Sequence, residues 1–224
     1  MHTRLLFALA LLLTGLNSAQ AFDAYPYLSR GAEVSLSWQR TDVDWRIDQD
    51  SASGTHYQLK LMGYEAPMGW VQGGLQIGYQ ELNLSGNPAS AGIRQTGEFI
   101  GIQLRSPAPR GDWGPYAAGS YRYNSVDGAT TSQRVETTWN EYDLEAGVIT
   151  RLPLLNFTAG VYYAGLSGDQ TASGIITANE DIDTDSDTGL SLSLGLALGT
   201  SGRFLISSRL GERRSLGIGF ARDY

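Results

Sequence analysis

The 224-residue chain carries 16 Lys and Arg residues against 23 Asp and Glu residues, has a formal net charge of −7 and contains no Cys. So acidic a chain is a poor binder of nucleic acid, whose phosphates require cationic side chains. Without Cys, neither a disulfide framework nor a lipid anchor on a first mature Cys is available. The length fits one domain of about 200 residues.

The first 21 residues have the pattern of a secretory signal peptide. Arg4 supplies a positive start, residues 5–13 form a short apolar run, and Ala19 and Ala21 form a small-x-small cleavage motif. The run is too short to cross a bilayer as a helix, which takes about 20 residues. We therefore predict that the signal peptide, 1–21, is cleaved after Ala21 and that 22–224 is one mature domain.

The mature chain is a succession of segments in which apolar residues alternate with small or polar ones, the pattern of extended strands. The last 36 residues show it best, with leucines at every even position from 190 to 198. Near Thr41 the apolar residues shift from even to odd positions, which we interpret as a bulge or a strand end. Ten strands are predicted, in the regions 34–47, 56–63, 71–80, 100–105, 117–123, 141–148, 155–163, 190–199, 204–210 and 216–224.

Two regularities favour a membrane barrel over a soluble sheet. Three glutamines, at 72, 76 and 80, share one face of a strand, where a soluble core would need apolar residues. Short connections (66–69, 107–114, 152–154 and 200–202) alternate with longer polar ones (48–54, 85–96, 127–133 and 167–188), as periplasmic turns alternate with outer loops.

No later apolar run is long enough for a membrane helix, and a spanning sheet must close because lipid offers no partner for unpaired backbone groups. The predicted fold is therefore all-β, a transmembrane antiparallel up-and-down β-barrel of ten strands with both termini on the periplasmic side. Eight strands stay open as an alternative, if the final hairpin is one long irregular strand.

The final strand, together with the signal peptide and the alternating segments, resembles small outer-membrane β-barrel proteins of the OmpA/OmpX-like kind. In that family the terminal strand and its last aromatic residue, usually Phe, are read by the barrel-assembly machinery. The resemblance assigns this role to Leu216, Ile218, Phe220 and Tyr224. It implies a place in the outer membrane of a Gram-negative-type envelope, among membrane lipid and lipopolysaccharide, and it includes no motif of a specific subfamily.

Six ionisable side chains fall on the predicted inner face: Lys60, Arg105, Arg122, Glu141, Asp143 and Glu145. An unpaired charge in a narrow interior is costly, so these groups are expected to pair and to fill the lumen. The alternative is a charged constriction that selects ions. We favour the ion-paired lumen because side chains largely fill the interiors of small barrels.

The acidic loop 180–187 is a weak candidate for a divalent cation site, with Asp181, Asp183, Asp185 and Asp187 as ligands. It fails as an EF-hand, because Ser186 stands where Gly is needed and Leu192 where a bidentate Glu is needed. A solvated outer loop is the favoured interpretation.

The single His of the mature chain, His56, is predicted to face the lumen. Asp48, Asp50, Ser51 and Ser53 are near it in sequence, and a His, an acid and a Ser could form a hydrolase. No motif supports that interpretation. Four tryptophans near predicted strand ends, Trp45, Trp70, Trp113 and Trp139, are expected to lie in aromatic girdles at the membrane surfaces.

The sequence thus predicts a non-enzymatic outer-membrane protein with a mostly occluded lumen and a structural or surface-interaction role. A small-solute or ion channel is the first alternative, and a surface enzyme that hydrolyses lipid or peptide is the second. No cofactor motif is found in the sequence, and no cofactor is expected.

Overall fold

A computed structural model describes residues 32–48, 50–107, 109, 111–184 and 186–224. The predicted signal peptide and its cleavage after Ala21 lie outside these residues and stay predictions. Within the described ranges, no helix has both the length and the apolar character needed to cross a membrane.

The described residues form eleven β-strands. They are β1 (Glu33–Ile47), β2 (Asp50–Tyr64), β3 (Gln72–Ser85), β4 (Arg94–Arg105), β5 (Trp113–Ala129), β6 (Gln133–Leu152), β7 (Leu155–Gly174), β8 (Ala178–Asp183), β9 (Asp187–Leu198), β10 (Gly202–Gly211) and β11 (Arg214–Asp223). All except β8 follow one another around a ring, and β11 closes it by pairing antiparallel with β1. The predicted antiparallel up-and-down β-barrel with ten strands in its ring is confirmed.

Strand β8, which the sequence analysis does not predict, changes the barrel at one end. It pairs with the last part of β7 and then reaches β1 at Arg46 and Ile47. Strands β9 and β11 do not reach this level, because their first residues, Asp187 and Arg214, already lie nearer the membrane-facing part of the barrel. The ten-stranded ring therefore narrows to an eight-stranded ring of β1–β8, which we call the extension. The opposite end, where β1 begins and β11 ends, is called the terminal end.

Strand β1 runs through the ten-stranded ring and the extension, and the polarity of its outward and inward faces is reversed between them. Its outward residues change from apolar to charged, in the order Val34, Leu36, Trp38, Arg40, Asp42, Asp44 and Arg46. Its inward residues change from polar to apolar, in the order Glu33, Ser35, Ser37, Gln39, Thr41, Val43, Trp45 and Ile47. The register with β2 is unbroken from Glu33 to Ile47, so the predicted bulge or strand end near Thr41 is wrong. The shift in the pattern marks the level where the outer surroundings change from lipid to water.

The outer surface of the ten-stranded part is an apolar band, the reverse of a soluble sheet with its apolar face on a core. Its exposed aliphatic residues include Leu75, Ile77, Ile100, Ile102, Leu104, Leu144, Val161, Leu190, Leu196, Leu216 and Ile218. Aromatic rings border it on the side of the extension: Trp38, Tyr57, Tyr79, Tyr123, Tyr142 and Tyr163. Within this border Trp38 stacks on Tyr57, with ring centroids 6.0 Å apart. Amphipathic rings prefer the headgroup level of a bilayer, so the border marks one membrane surface.

Three of the four predicted outer loops, 48–54, 127–133 and 167–188, consist mostly of β-strand in the structure. Strand β2 begins at Asp50, β5 runs to Ala129, and β7 and β8 occupy most of 167–188. Their polar sequences obscure the strands because their outward side chains contact water. The segment 86–93 between β3 and β4 remains a loop, folded over the end of the extension. There Ala89 and Ile93 pack with Val135 and Ala172.

An apolar layer fills the inside of the extension. Each of its members is at most 4% exposed: Val43, Trp45, Ile47, Ala52, Leu82, Leu84, Val126, Trp139, Leu166 and Ile182. The rings of Trp45 and Trp139 meet edge to face at its centre, with centroids 5.0 Å apart. The prediction that these two tryptophans lie in a membrane girdle is therefore wrong, because their strands continue beyond the membrane. Trp70 and Trp113 do lie at the surface, 83% and 69% exposed.

Replacement of a layer tryptophan tests this packing. Trp139→Ala is expected to lower the free energy of unfolding by about 3–5 kcal/mol, because it removes a fully buried ring from a close-packed layer. Trp70→Ala removes an exposed ring and is the matched control, with a much smaller expected loss. Urea unfolding of the folded barrel in lipid vesicles measures both. Equal losses in the two variants would contradict the apolar layer.

Candidate functional site

The interior of the ten-stranded part is polar and encloses a chamber of about 190 Å³. The chamber lies between the apolar layer and a charged network at the terminal end. All six charged residues predicted for the lumen lie on the inner face. Five line the chamber, namely Lys60, Arg122, Glu141, Asp143 and Glu145, whereas Arg105 belongs to the network at the terminal end.

On the side of the apolar layer, Glu141 is held between two guanidinium groups. Its Oε1 lies 2.7 Å from Nη2 of Arg122 and also accepts a hydrogen bond from Arg213. Arg213 in turn donates from Nε to Asp187, at 3.1 Å. Glu141 and Arg213 are 3% and 7% exposed, so the ion pairs are shielded from solvent.

Sequence reasoning missed Arg213 because it lies in the short connection between β10 and β11. That connection folds inward, and Tyr162 fixes it at the backbone. The Tyr162 hydroxyl donates to the Arg213 carbonyl at 2.8 Å and accepts from the Arg213 N–H at 3.2 Å. No sequence signal distinguishes this turn from an exposed one.

In the middle of the chamber, Arg209 of β10 joins two carboxylates of β6. It forms two hydrogen bonds to Asp143, one of them from Nη2 at 2.9 Å, and a longer one to Glu145 at 3.4 Å. Glu145 also accepts hydrogen bonds from Ser191, at 2.7 Å, and from the Tyr116 hydroxyl. Arg209 is not among the residues predicted for the lumen, although its odd position, opposite the outward residues of β10, was a signal that it faces inward.

At the terminal end, Glu33 is the centre of a second network. It lies 3.0 Å from Arg105 and 2.6 Å from Arg203, and Arg203 also contacts Asp223 at 2.8 Å. The guanidinium of Arg105 stacks on the Tyr64 ring, 3.7 Å from its centroid. Three residues of this network were not predicted for the lumen: Glu33, Arg203 and Asp223. Each has an odd number on a strand whose even-numbered residues face outward, and this alternation indicated that its side chain faces inward.

These networks connect strands that are not neighbours in the ring. Arg209 links β10 to β6, and Arg203 links β10 to β1. Their guanidinium groups donate hydrogen bonds directly to the carboxylates. Such bonds are strong when the donor and the acceptor are both charged. The arrangement is suited to bracing the lumen, since the paired groups are already engaged with one another.

His56 is buried and contacts a glutamine and a tryptophan. Its Nε2 lies 2.9 Å from Oε1 of Gln80, and its ring packs edge-on against Trp139. Ser51 and Ser53 are exposed on the opposite face of β2. The structure therefore does not assemble the Ser, His and acid constellation that the sequence left open.

The acidic segment does not bring its described residues together. Asp181 and Asp183 lie on the outward face of β8, where Asp183 pairs with Arg46 at 2.7 Å, whereas Asp187 pairs with Arg213. Asp185 lies outside the described residues. In the part of the chain that the structure describes, no group of three or more His, Cys, Asp and Glu residues could hold a metal ion.

The four residues assigned to the assembly signal lie on or directly after β11. Leu216, Ile218 and Phe220 face outward in the apolar band, and the Tyr224 N–H donates to the carbonyl of Ala32 at 2.8 Å. On the same face Arg222 stands between Phe220 and Tyr224, and its guanidinium lies 5.4 Å from the centroid of the Tyr224 ring.

Neither a protein-family model nor a curated protein sequence matches this chain. Among solved structures, the translocator domain of the autotransporter NalP from Neisseria meningitidis is similar, with 12% identity, a TM-score of 0.48 and coverage of 100% of this chain and 96% of that one. The outer membrane protein OprG from Pseudomonas aeruginosa has 12% identity and a TM-score of 0.48 over 90% of this chain and 100% of that one. Neisserial surface protein A has 11% identity and a TM-score of 0.44 over 87% and 99%. At these values the comparisons carry no argument about function.

Neutralising the most deeply buried carboxylate tests the bracing role. Glu141→Gln is expected to destabilise the barrel by about 3–5 kcal/mol, because it leaves Arg122 and Arg213 without their shared partner in the interior. Asp127→Asn is the control, since the exposed pair of Asp127 with Arg134, at 3.7 Å, is expected to contribute about 1 kcal/mol or less. Urea unfolding in vesicles compares the two. A small loss for Glu141→Gln would show that the network does not brace the lumen.

Proposed function

We propose that this protein is an integral outer-membrane β-barrel with a closed lumen and a structural or surface-interaction role in the envelope. The apolar layer of the extension is the observation that carries the proposal. It receives side chains from β1, β2, β3, β5, β6, β7 and β8, and these side chains are almost completely excluded from solvent. A hydrated ion would have to lose its water to pass through such a layer, which is costly without paired charges.

The outer surface supports a position in an outer membrane. The apolar band with its aromatic border fits a bilayer, and the extension beyond it presents charged and hydroxyl side chains to water. The predicted signal peptide and the outward apolar residues of β11 support export and assembly in the same membrane. In this orientation the start of β1 and the end of β11 lie in the periplasm, and the extension projects outside the cell.

The extension also supports a role in surface interaction. It is a strand-paired wall rather than a set of long loops, so its outward side chains have a fixed arrangement. Three arginines on this wall form ion pairs with acidic neighbours, and Arg40 pairs with Asp42 where the wall begins. The three pairs are Arg46 with Asp183, Arg94 with Glu81, and Arg134 with Asp127. Further carboxylates, Asp44, Glu98, Glu136 and Asp169, give the same surface an acidic character. A preorganised surface of this kind lowers the ordering cost of binding a partner.

Single-channel recording in planar bilayers tests the closed lumen. The folded wild-type barrel is expected to give no openings. The double variant Trp45→Ser with Trp139→Ser is expected to give discrete openings, because two large rings are replaced by small hydroxyl groups that water can solvate. A heat-dependent shift in gel migration verifies that each preparation is folded.

The opposite result would identify a channel. Discrete openings of the wild type, with an ion selectivity that changes when Glu141, Asp143 and Glu145 are neutralised, would make those carboxylates a filter and would overturn the proposal.

Site-directed labelling tests the membrane and the orientation, since the chain contains no Cys of its own. Ile175→Cys places a thiol at the tip of the extension, where the native side chain is 79% exposed. It is expected to react in intact Gram-negative cells with a maleimide on a polymer too large for porins. Met68→Cys, at a position that is 71% exposed at the terminal end, is expected to react after the outer membrane is permeabilised. The reverse order of labelling would contradict the orientation.

A further inference from the structure

Lys60 has a different environment from the other charged groups of the chamber. Glu141, Asp143 and Glu145 each contact an arginine, and Arg122 and Arg209 each contact a carboxylate. Among the described residues, the Lys60 ammonium forms no ion pair and no hydrogen bond, although the residue lines the chamber. A cation in a narrow interior without a partner is unfavourable, because protein dipoles replace bulk water incompletely.

The strand neighbours of Lys60 are uncharged. It lies directly across from Ser37 on β1 and from Gly78 on β3. Gln58 and Met62 flank it on the inner face of β2, and Gln58 accepts a hydrogen bond from Arg122 at 3.2 Å. The barrel wall around Lys60 therefore supplies no negative charge in direct contact.

The rest of the chamber supplies uncharged hydrogen-bond donors. Hydroxyl groups come from Ser120, Ser193, Ser207 and Ser215, and amide groups from Gln39, Gln76 and Gln103. Hydroxyls and side-chain amides can each donate to an anion. The carboxylates on the facing strand are already engaged by arginines, which reduces their repulsion toward an incoming negative charge.

We propose that the chamber binds a small monovalent anion, with the Lys60 ammonium as its charge partner and the serine hydroxyls as additional donors. A volume of about 190 Å³ admits an ion of the size of chloride or formate together with waters that complete its hydration. The anion is an internal ligand of the ten-stranded part, so the site is independent of whether the apolar layer blocks conduction.

The experiment uses the full mature chain refolded in lipid vesicles in the presence of ¹³C-formate, so that entry into the chamber does not limit binding. The wild type is expected to add a broadened signal of bound formate to the ¹³C NMR spectrum, and unlabelled formate or chloride present during refolding is expected to remove this broadening. Its urea midpoint is expected to be higher in sodium formate than in sodium gluconate of equal concentration, because the much bulkier gluconate approaches the Lys60 ammonium less closely between the surrounding side chains.

Variants at position 60 separate anion binding from a general salt effect. Lys60→Met is expected to abolish the broadening and the formate-dependent shift of the midpoint, whereas Lys60→Arg retains both. Arg134→Met removes a cation from the outer surface and is expected to respond like the wild type. Equal formate responses in Lys60→Met and the wild type, or no response in the wild type, would overturn the proposal. Because wild-type binding is measured directly, the test stands even if Lys60→Met fails to fold.

Discussion

The structure depends on one constraint, that each long strand passes from lipid into water while its backbone stays paired. Because neighbouring strands must keep their register, the chain cannot rotate its side chains at the boundary, and the residues on both faces change instead. In β1 this change occurs around Arg40 and Thr41, where outward apolar residues give way to charged ones and inward polar residues to apolar ones. The same strand thus meets a polar lumen inside the membrane and an apolar core beyond it.

The interior of the barrel follows from this division. Within the membrane the inner face is polar, so the lumen is braced by charge-assisted contacts such as that of Arg209 with Asp143. Beyond the membrane the wall is solvated, so the interior can bury an ordinary apolar core around Trp45 and Trp139. That core adds hydrophobic stabilisation in water, where apolar burial is favourable, and it lies between the chamber and the end of the extension.

The reduction from ten strands to eight makes this core compact. A ten-stranded ring encloses more cross-section than an eight-stranded one, since barrel diameter grows with strand number. By turning back after Gly174 and joining β1, β8 closes the narrower ring and contributes Ile182 to the apolar layer. The end of the β10–β11 hairpin lies at the step between the two rings, where Arg213 reaches inward to Glu141.

The alternation of side chains determined the antiparallel barrel, its ten-stranded ring and the inward positions of Lys60, Arg105, Arg122, Glu141, Asp143 and Glu145, because strand geometry fixes the face of each residue. The same rule applied to β10 would have found Arg209. Tertiary structure alone decided β8, the apolar layer and the inward turn at Arg213. A pattern along one strand records the difference between its faces, but it does not say which face meets lipid, water or another strand. That depends on which strands close the ring at each level. The pairing of β8 with β1 joins Arg46 to Asp183, 137 positions apart, and Ile47 to Ile182, 135 positions apart.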